Sequence, residues 1–134
     1  MKRFWVAVGS VALVSGLCDF VFNGILLKDL YQETASLWRP MAEMKSLAWL
    51  AVVTYFLFAW IFVVVYGKGY EKDKAGIGQG LRYGFLIGLL LCSVFSLGCY
   101  VLMPIPAVLA VCWFVGGMAE CMIAGMVAGV IYKP

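Results

Sequence analysis

Charged residues in this chain fall into a few clusters, and the stretches between them are almost wholly apolar. Phe4 to Leu27, Leu47 to Tyr66, Leu81 to Leu102 and Ala107 to Tyr132 are each long enough to cross a hydrocarbon core, which takes about 20 apolar residues per helix. The pattern predicts an all-α membrane protein of four transmembrane helices in an antiparallel bundle. Those spans use most of residues 1–134, so a single transmembrane domain is expected with no room for a soluble one. Only Met103, Pro104, Ile105 and Pro106 separate the last two spans, so the third and fourth helices are expected to form a tight hairpin.

Small residues recur every fourth position in that hairpin. The third helix carries Gly76, Gly80, Gly84, Gly88, Cys92 and Ser96, and the fourth carries Gly117, Cys121, Gly125 and Gly129. Counting outward from the turn pairs Gly80 with Gly129, Gly84 with Gly125, Gly88 with Cys121 and Cys92 with Gly117. Aligned ladders of this kind let backbones approach closely, which in a bilayer replaces the missing hydrophobic drive for association. The second span is crowded instead with Trp49, Tyr55, Phe56, Phe58, Trp60 and Phe62, and is expected largely against lipid.

The connections differ in character. Lys28 to Ser46 places Leu30, Tyr31, Leu37, Trp38 and Met41 at near-helical spacing among charges, as in a segment lying at the membrane surface. Pro40 suits the first turn of the next helix, so that helix is expected to begin before its apolar core. KGYEKDKAG, from Lys68 to Gly76, reads as a solvated turn. Lys2 and Arg3 precede an apolar run of anchor length, and Leu17 spoils a lipoprotein signal at Cys18, so an uncleaved first helix is expected.

Composition agrees with the pattern: 65% of the residues are hydrophobic and 13% charged, more apolar than a soluble domain of this size can bury. The net charge of +3 reports topology rather than nucleic-acid binding. Lys2, Arg3, Lys68, Lys72, Lys74, Arg82 and Lys133 share one side, against Lys28, Arg39 and Lys45 on the other, which predicts an inner-membrane protein with both termini cytoplasmic. Five cysteines without a CxxC and the absence of histidine argue against thiol redox, haem and histidine-metal chemistry. Met118, Cys121, Met122 and Met126 read as packing rather than as a soft-metal site. No cofactor, metal or enzymatic activity is expected.

The candidate chemistry is a small set of polar groups inside the spans. Glu120 interrupts GGMAECMIAG, and Asp19 and Asn23, four residues apart, share one face of the first helix. Thr54, Tyr55, Ser93 and Ser96 lie near the depth of Asp19, whereas Glu120 lies about 7 Å deeper at the helical rise, nearer the level of Ser15. A direct carboxyl pair is therefore not expected. Arg82 is placed to snorkel toward the cytoplasm rather than to neutralise either acid. A charged side chain at bilayer depth costs a few kcal/mol, so an embedded acid calls for a reason. One reason is a protonated, hydrogen-bonded acid that fixes helix packing; the other is loading of a proton or cation.

LLKDLYQ and LWRP in the first loop, GQGLRYGFLIG in the third span and the closing GVIYKP give the chain a pattern that resembles small bacterial four-helix integral membrane proteins of no known activity. The resemblance implies a fold and a membrane but no reaction. Small multidrug transporters also have four helices and an embedded glutamate, but theirs is in the first helix, and the motif pattern of small fluoride channels is missing. Two functions are therefore expected: a non-enzymatic membrane protein that forms a homo-oligomer or joins a larger complex in the lipid bilayer, or a small proton- or cation-coupled transporter or channel using Glu120 with Asp19 and Asn23.

Overall fold

A computed structural model describes residues 1–134. Helix α1, Lys2–Val21, runs into a π-helical turn, Phe22–Leu26; α2, Lys28–Glu33, and a 3-10 turn, Ala35–Leu37, follow; α3, Met41–Ser46, leads to α4, Ala48–Lys68; α5, Gly76–Leu102, and α6, Ala107–Ile131, complete the chain. There are no strands. Four helical segments, Lys2–Leu26, Ala48–Lys68, Gly76–Leu102 and Ala107–Ile131, are long and apolar enough to cross a membrane, with mean hydropathies of 1.9, 2.4, 2.4 and 1.9. Prolines set several boundaries. Pro40 and Pro106 sit just before α3 and α6, where a missing N–H costs nothing, and Met103, ahead of Pro104, is forced into the extended conformation that ends α5.

The core is small and lies between helices. Ala7, Val8 and Val11 of α1 pack with Ala59, Phe62, Val63 and Tyr66 of α4 and with Ala124 and Ala128 of α6. Tyr83 of α5 closes that end of the bundle by donating a hydrogen bond to the Phe62 carbonyl at 2.7 Å. The second span is largely exposed, as expected: Trp49, Leu50, Val52, Val53, Phe56, Leu57, Trp60, Ile61 and Val65 face outward, and only one face of its second half, Ala59, Phe62, Val63 and Tyr66, is buried in the core. Only 24 of 134 residues are buried, so most of the apolar side chains of the long helices face outward, as lipid-facing surfaces do.

Helices α5 and α6 make the most extensive contact in the molecule. A Cβ built on Gly76 would collide with the Gly129 carbonyl, one on Gly80 with the Gly125 carbonyl, and one on Gly84 with the Cys121 carbonyl. The pairing expected from equal depth is offset by half a step. Gly125 lies between Gly80 and Gly84 rather than level with Gly84, and Gly129 lies between Gly76 and Gly80. The physical reason is that a carbonyl oxygen of one helix nests into the space left by a missing Cβ on the other, which interleaves the two ladders. Gly88 against Cys121 and Gly117 against the Cys92 sulfur keep the expected partners.

The first connection does not lie flat as an amphipathic surface segment. Leu30, Tyr31, Leu37 and Trp38 fold onto Leu27, Ile105, Leu109 and Ala110, so this loop caps the ends of α1, α5 and α6. Helix α3 is separate from α4, because Leu47 breaks the helical path at φ −98°, ψ 3°. The second connection is also more than a solvated turn. The buried Gln79 side chain accepts from the Glu71 N–H and donates to the Glu71 and Lys74 carbonyls, while the Glu71 carboxylate pairs with Lys74 at 2.5 Å and with Arg82. Hydrogen bonds from Lys74 and Arg82 hold the Glu71 carboxyl below the usual carboxylate range.

Candidate functional site

The polar groups of α1 converge where its helix widens. Leu27 N–H reaches back five residues to the Phe22 carbonyl at 3.0 Å, and the resulting π turn swings the Phe22 ring into a notch on α6 at Gly116. A Cβ on Gly116 would lie 2.6 Å from Cδ1 of that ring and closer still to its edge, so glycine is required for the ring to enter. Such π turns are rare and concentrate at functional sites.

Asn23, in the same turn, donates from Nδ2 to Asp19 Oδ1 at 2.5 Å. Tyr31 O–H in α2 donates to Asn23 Oδ1 at 2.7 Å, and Trp113 Nε1 in α6 donates to the Tyr31 oxygen at 2.6 Å. On the other side, Tyr55 O–H in α4 donates to Asp19 Oδ2. Both oxygens of Asp19 therefore accept. The network links α1, α2, α4 and α6, and every donor in it points toward Asp19.

Glu120 stands differently. Its carboxyl group has no hydrogen bond, and no lysine or arginine lies within ion-pair distance: the three ion pairs of the molecule are Arg39–Glu43, Lys74–Glu71 and Arg82–Glu71, all exposed. Beside Glu120 lies Ser15, fully buried, whose Oγ has no partner because its approach to the carboxylate falls short of hydrogen-bond geometry. Asp19 and Glu120 do not bond to each other, yet both line one cleft of about 380 Å³ between α1, α5 and α6. Its walls are the rings of Phe22, Tyr31, Phe95 and Trp113, with Cys92 and Gly117 from the helix seam, and no basic residue lines it. No family model, curated protein or solved structure matches this chain. What the site can do must therefore be argued from its own atoms.

Of the polar residues singled out from sequence, the structure brings together Asp19, Asn23, Tyr55 and Glu120. It does not bring in the others. Thr54 Oγ donates to the Leu50 carbonyl at 2.8 Å and Ser93 Oγ to the Leu90 carbonyl at 3.1 Å, each within its own helix. Ser96 Oγ donates to the Ala110 carbonyl across the α5/α6 contact. Hydroxyls in helices meet their own needs in this way, so equal depth does not make them neighbours of Asp19. Sequence reasoning missed Tyr31, Trp113, Phe22 and Phe95 as site residues. The sequence pattern puts Tyr31 in a segment at the membrane surface, and its spacing of eight residues from Asn23 across a π turn carries no recognisable signature.

A second, larger cavity of about 1080 Å³ lies under the first connection and shares Asn23 and Tyr31 with the cleft. It is lined by Lys28, Gln32, Trp38, Arg39 and Met44 among others. Tyr31 thus stands between a vestibule on the loop side and the two acids. Trp38 packs on this partition, with ring centroids 5.5 Å from Tyr31 and 5.9 Å from Trp113.

Proposed function

We propose that this protein is a small, non-enzymatic membrane transporter or channel that loads a proton or cation at Glu120, with Asp19 held by Asn23 and Tyr55 as the second negative group of the site. The observation that carries this reading is the contrast between the two acids. A packing acid is held by donors, and Asp19 meets that description; the one donor beside Glu120 is the Ser15 hydroxyl, outside hydrogen-bond geometry, and Glu120 has no basic partner and lines the same cleft. A carboxyl group left free at this depth costs stability without structural return, which favours a role in loading.

In the proposed arrangement α5 and α6 form an antiparallel hairpin seamed by the Gly80, Gly84, Gly88 and Gly117, Cys121, Gly125, Gly129 ladders. The chain sits in the inner membrane with both termini cytoplasmic, on the side richer in lysine and arginine. The cleft then lies in the outer half of the bilayer, with the vestibule under the first loop as its approach. The test is cation-evoked proton movement in vesicles reconstituted with the full chain and loaded with a pH-sensitive dye. Wild type should respond to at least one of sodium, potassium or tetramethylammonium chloride, and Glu120→Gln should not, with helicity and thermal unfolding unchanged. Equal responses from the two proteins would sink the proposal.

A second reading, a homo-oligomer or a subunit of a larger membrane complex, is supported by one observation: the first half of α4 exposes Trp49, Val52, Val53, Phe56 and Leu57, while Tyr55 alone reaches across to Asp19. A mass measurement in detergent separates this from a monomer, and the two readings are compatible.

A further inference from the structure

We infer that the cleft at Glu120 takes a compact organic cation carrying an ammonium group, rather than a bare metal ion; this deepens the transport reading and rests on it. Uncommitted oxygen ligands are scarce in the cleft. Hard divalent cations take six or more oxygens, but both oxygens of Asp19 already accept from Asn23 and Tyr55, and Asn23 Oδ1 accepts from Tyr31. That leaves the Glu120 carboxylate as the one acid of the cleft with no committed donor. No group of three metal-ligating side chains exists anywhere in the chain.

The cleft offers aromatic rings instead. Trp113 stands at its centre, with ring centroids 5.5 Å from Phe95 and 6.5 Å from Tyr31, and Phe22 completes the wall. Ring faces attract an ammonium group through their quadrupole and, unlike water, shield its alkyl substituents. A volume of about 380 Å³ falls at the lower end of the range for small-molecule sites, several times what a dehydrated metal ion fills. One mobile carboxylate then balances the charge while Asp19, fixed by its two donors, adds a field without moving.

The Ser15 hydroxyl is buried and without a partner next to Glu120. An unsatisfied buried hydroxyl is costly, and a site that alternates its acid between two positions explains it. A small rotation of the Glu120 carboxyl group one way pairs it with Ser15, and a rotation the other way turns it into the cleft to meet the ammonium group.

The experiment is equilibrium binding of tetramethylammonium chloride to the full chain in detergent by titration calorimetry, beside sodium and magnesium chloride at matched ionic strength. Wild type should bind tetramethylammonium saturably. Trp113→Leu should weaken that binding about tenfold, the scale of a desolvated cation–π contact, and Glu120→Gln should abolish it, with thermal unfolding followed for each. Should Trp113→Leu unfold, Phe95→Leu, at an exposed position, carries the same test. Tetramethylammonium binding unchanged by these variants would place the cation elsewhere and overturn the inference. Sodium- or magnesium-evoked proton release that needs Glu120, with no tetramethylammonium binding, would also overturn it while leaving the transport reading intact. If no cation binds and no proton moves, both fall together.

Discussion

Gly84→Ala adds one methyl group where two backbones already touch. Its Cβ would lie 2.8 Å from both the Cys121 carbonyl carbon and the Met122 Cα, and nearer still to the Cys121 oxygen. Carbon atoms rest at about 3.5–4.0 Å, and backbone atoms cannot rotate away, so the helices must separate locally by about 1 Å. A gap of that size forfeits up to half of each close contact's attraction, and the same displacement loosens the neighbouring carbonyl contacts at Gly80 and Gly125. Overpacking of this kind costs about 1–3 kcal/mol. Replacing a helical glycine by alanine returns up to about 1 kcal/mol of backbone entropy, so the net loss should be about 1–2 kcal/mol. Gly98, also in α5, supplies the control: a Cβ there meets nothing within 4 Å. Gly98→Ala should be neutral or stabilising. The assay is thermal unfolding in one detergent, followed by circular dichroism and by loss of the monodisperse peak. If Gly84→Ala proves as stable as Gly98→Ala, backbone contact along α5 and α6 is not what holds the bundle.

Tyr55→Phe deletes one of the two donors to Asp19 without changing shape, and should cost about 0.5–2 kcal/mol, since interhelical hydrogen bonds in membranes contribute at the low end of the general range; no loss in thermal unfolding would show that the bond is idle. Glu71 gives a pH signature: its carboxyl is held low by Lys74 and Arg82, so its contribution is fully present above its ordinary value of 4.5 and disappears as pH falls through the lowered folded value. Glu71→Gln should therefore remove part of the stability at neutral pH and flatten the decline below pH 4.5, whereas parallel acid curves for the two proteins would rule this out. Cysteine labelling in whole cells should reach a probe near Glu33 from outside and one at Lys133 only after permeabilisation; labelling of Lys133 from outside would reverse the proposed orientation.

Long apolar runs are legible because a bilayer leaves the backbone few alternatives, so the extents of the four long helices depart from sequence expectation by only a few residues. The pairing of Asp19 with Asn23 was legible for a similar reason: residues four apart on a helix meet whatever surrounds them. What escaped depended on packing between segments. Whether Thr54 and Ser93 face the bundle or bond their own helix is decided by helix rotation, which depth does not report. The π turn at Phe22 goes with the fit of its ring into the Gly116 notch of α6, a partner that the local sequence does not report. Tyr31 and Trp113 enter the site only because the first connection folds inward over the helix ends instead of lying along the membrane.

The two acids are chemically alike, and their surroundings give them opposite sensitivities to the same change. Asp19→Asn replaces an acceptor oxygen with an amide that must point its N–H₂ at either Tyr55 or Asn23, both of which already donate to that position. One donor then turns away or stays unpaired in a low-dielectric cleft, and an unsatisfied buried group costs about 1–3 kcal/mol. Glu120→Gln meets no such conflict. No donor is committed to its carboxyl group, and a small rotation of the new amide lets its N–H₂ donate to the orphaned Ser15 oxygen, so the bundle should keep or slightly gain stability. Thermal unfolding should therefore rank Glu120→Gln at or above wild type and Asp19→Asn clearly below it, while transport is lost in both. The reverse ranking would mean that Glu120, not Asp19, is the acid that holds the helices together, and the division of labour on which the cation site rests would be wrong.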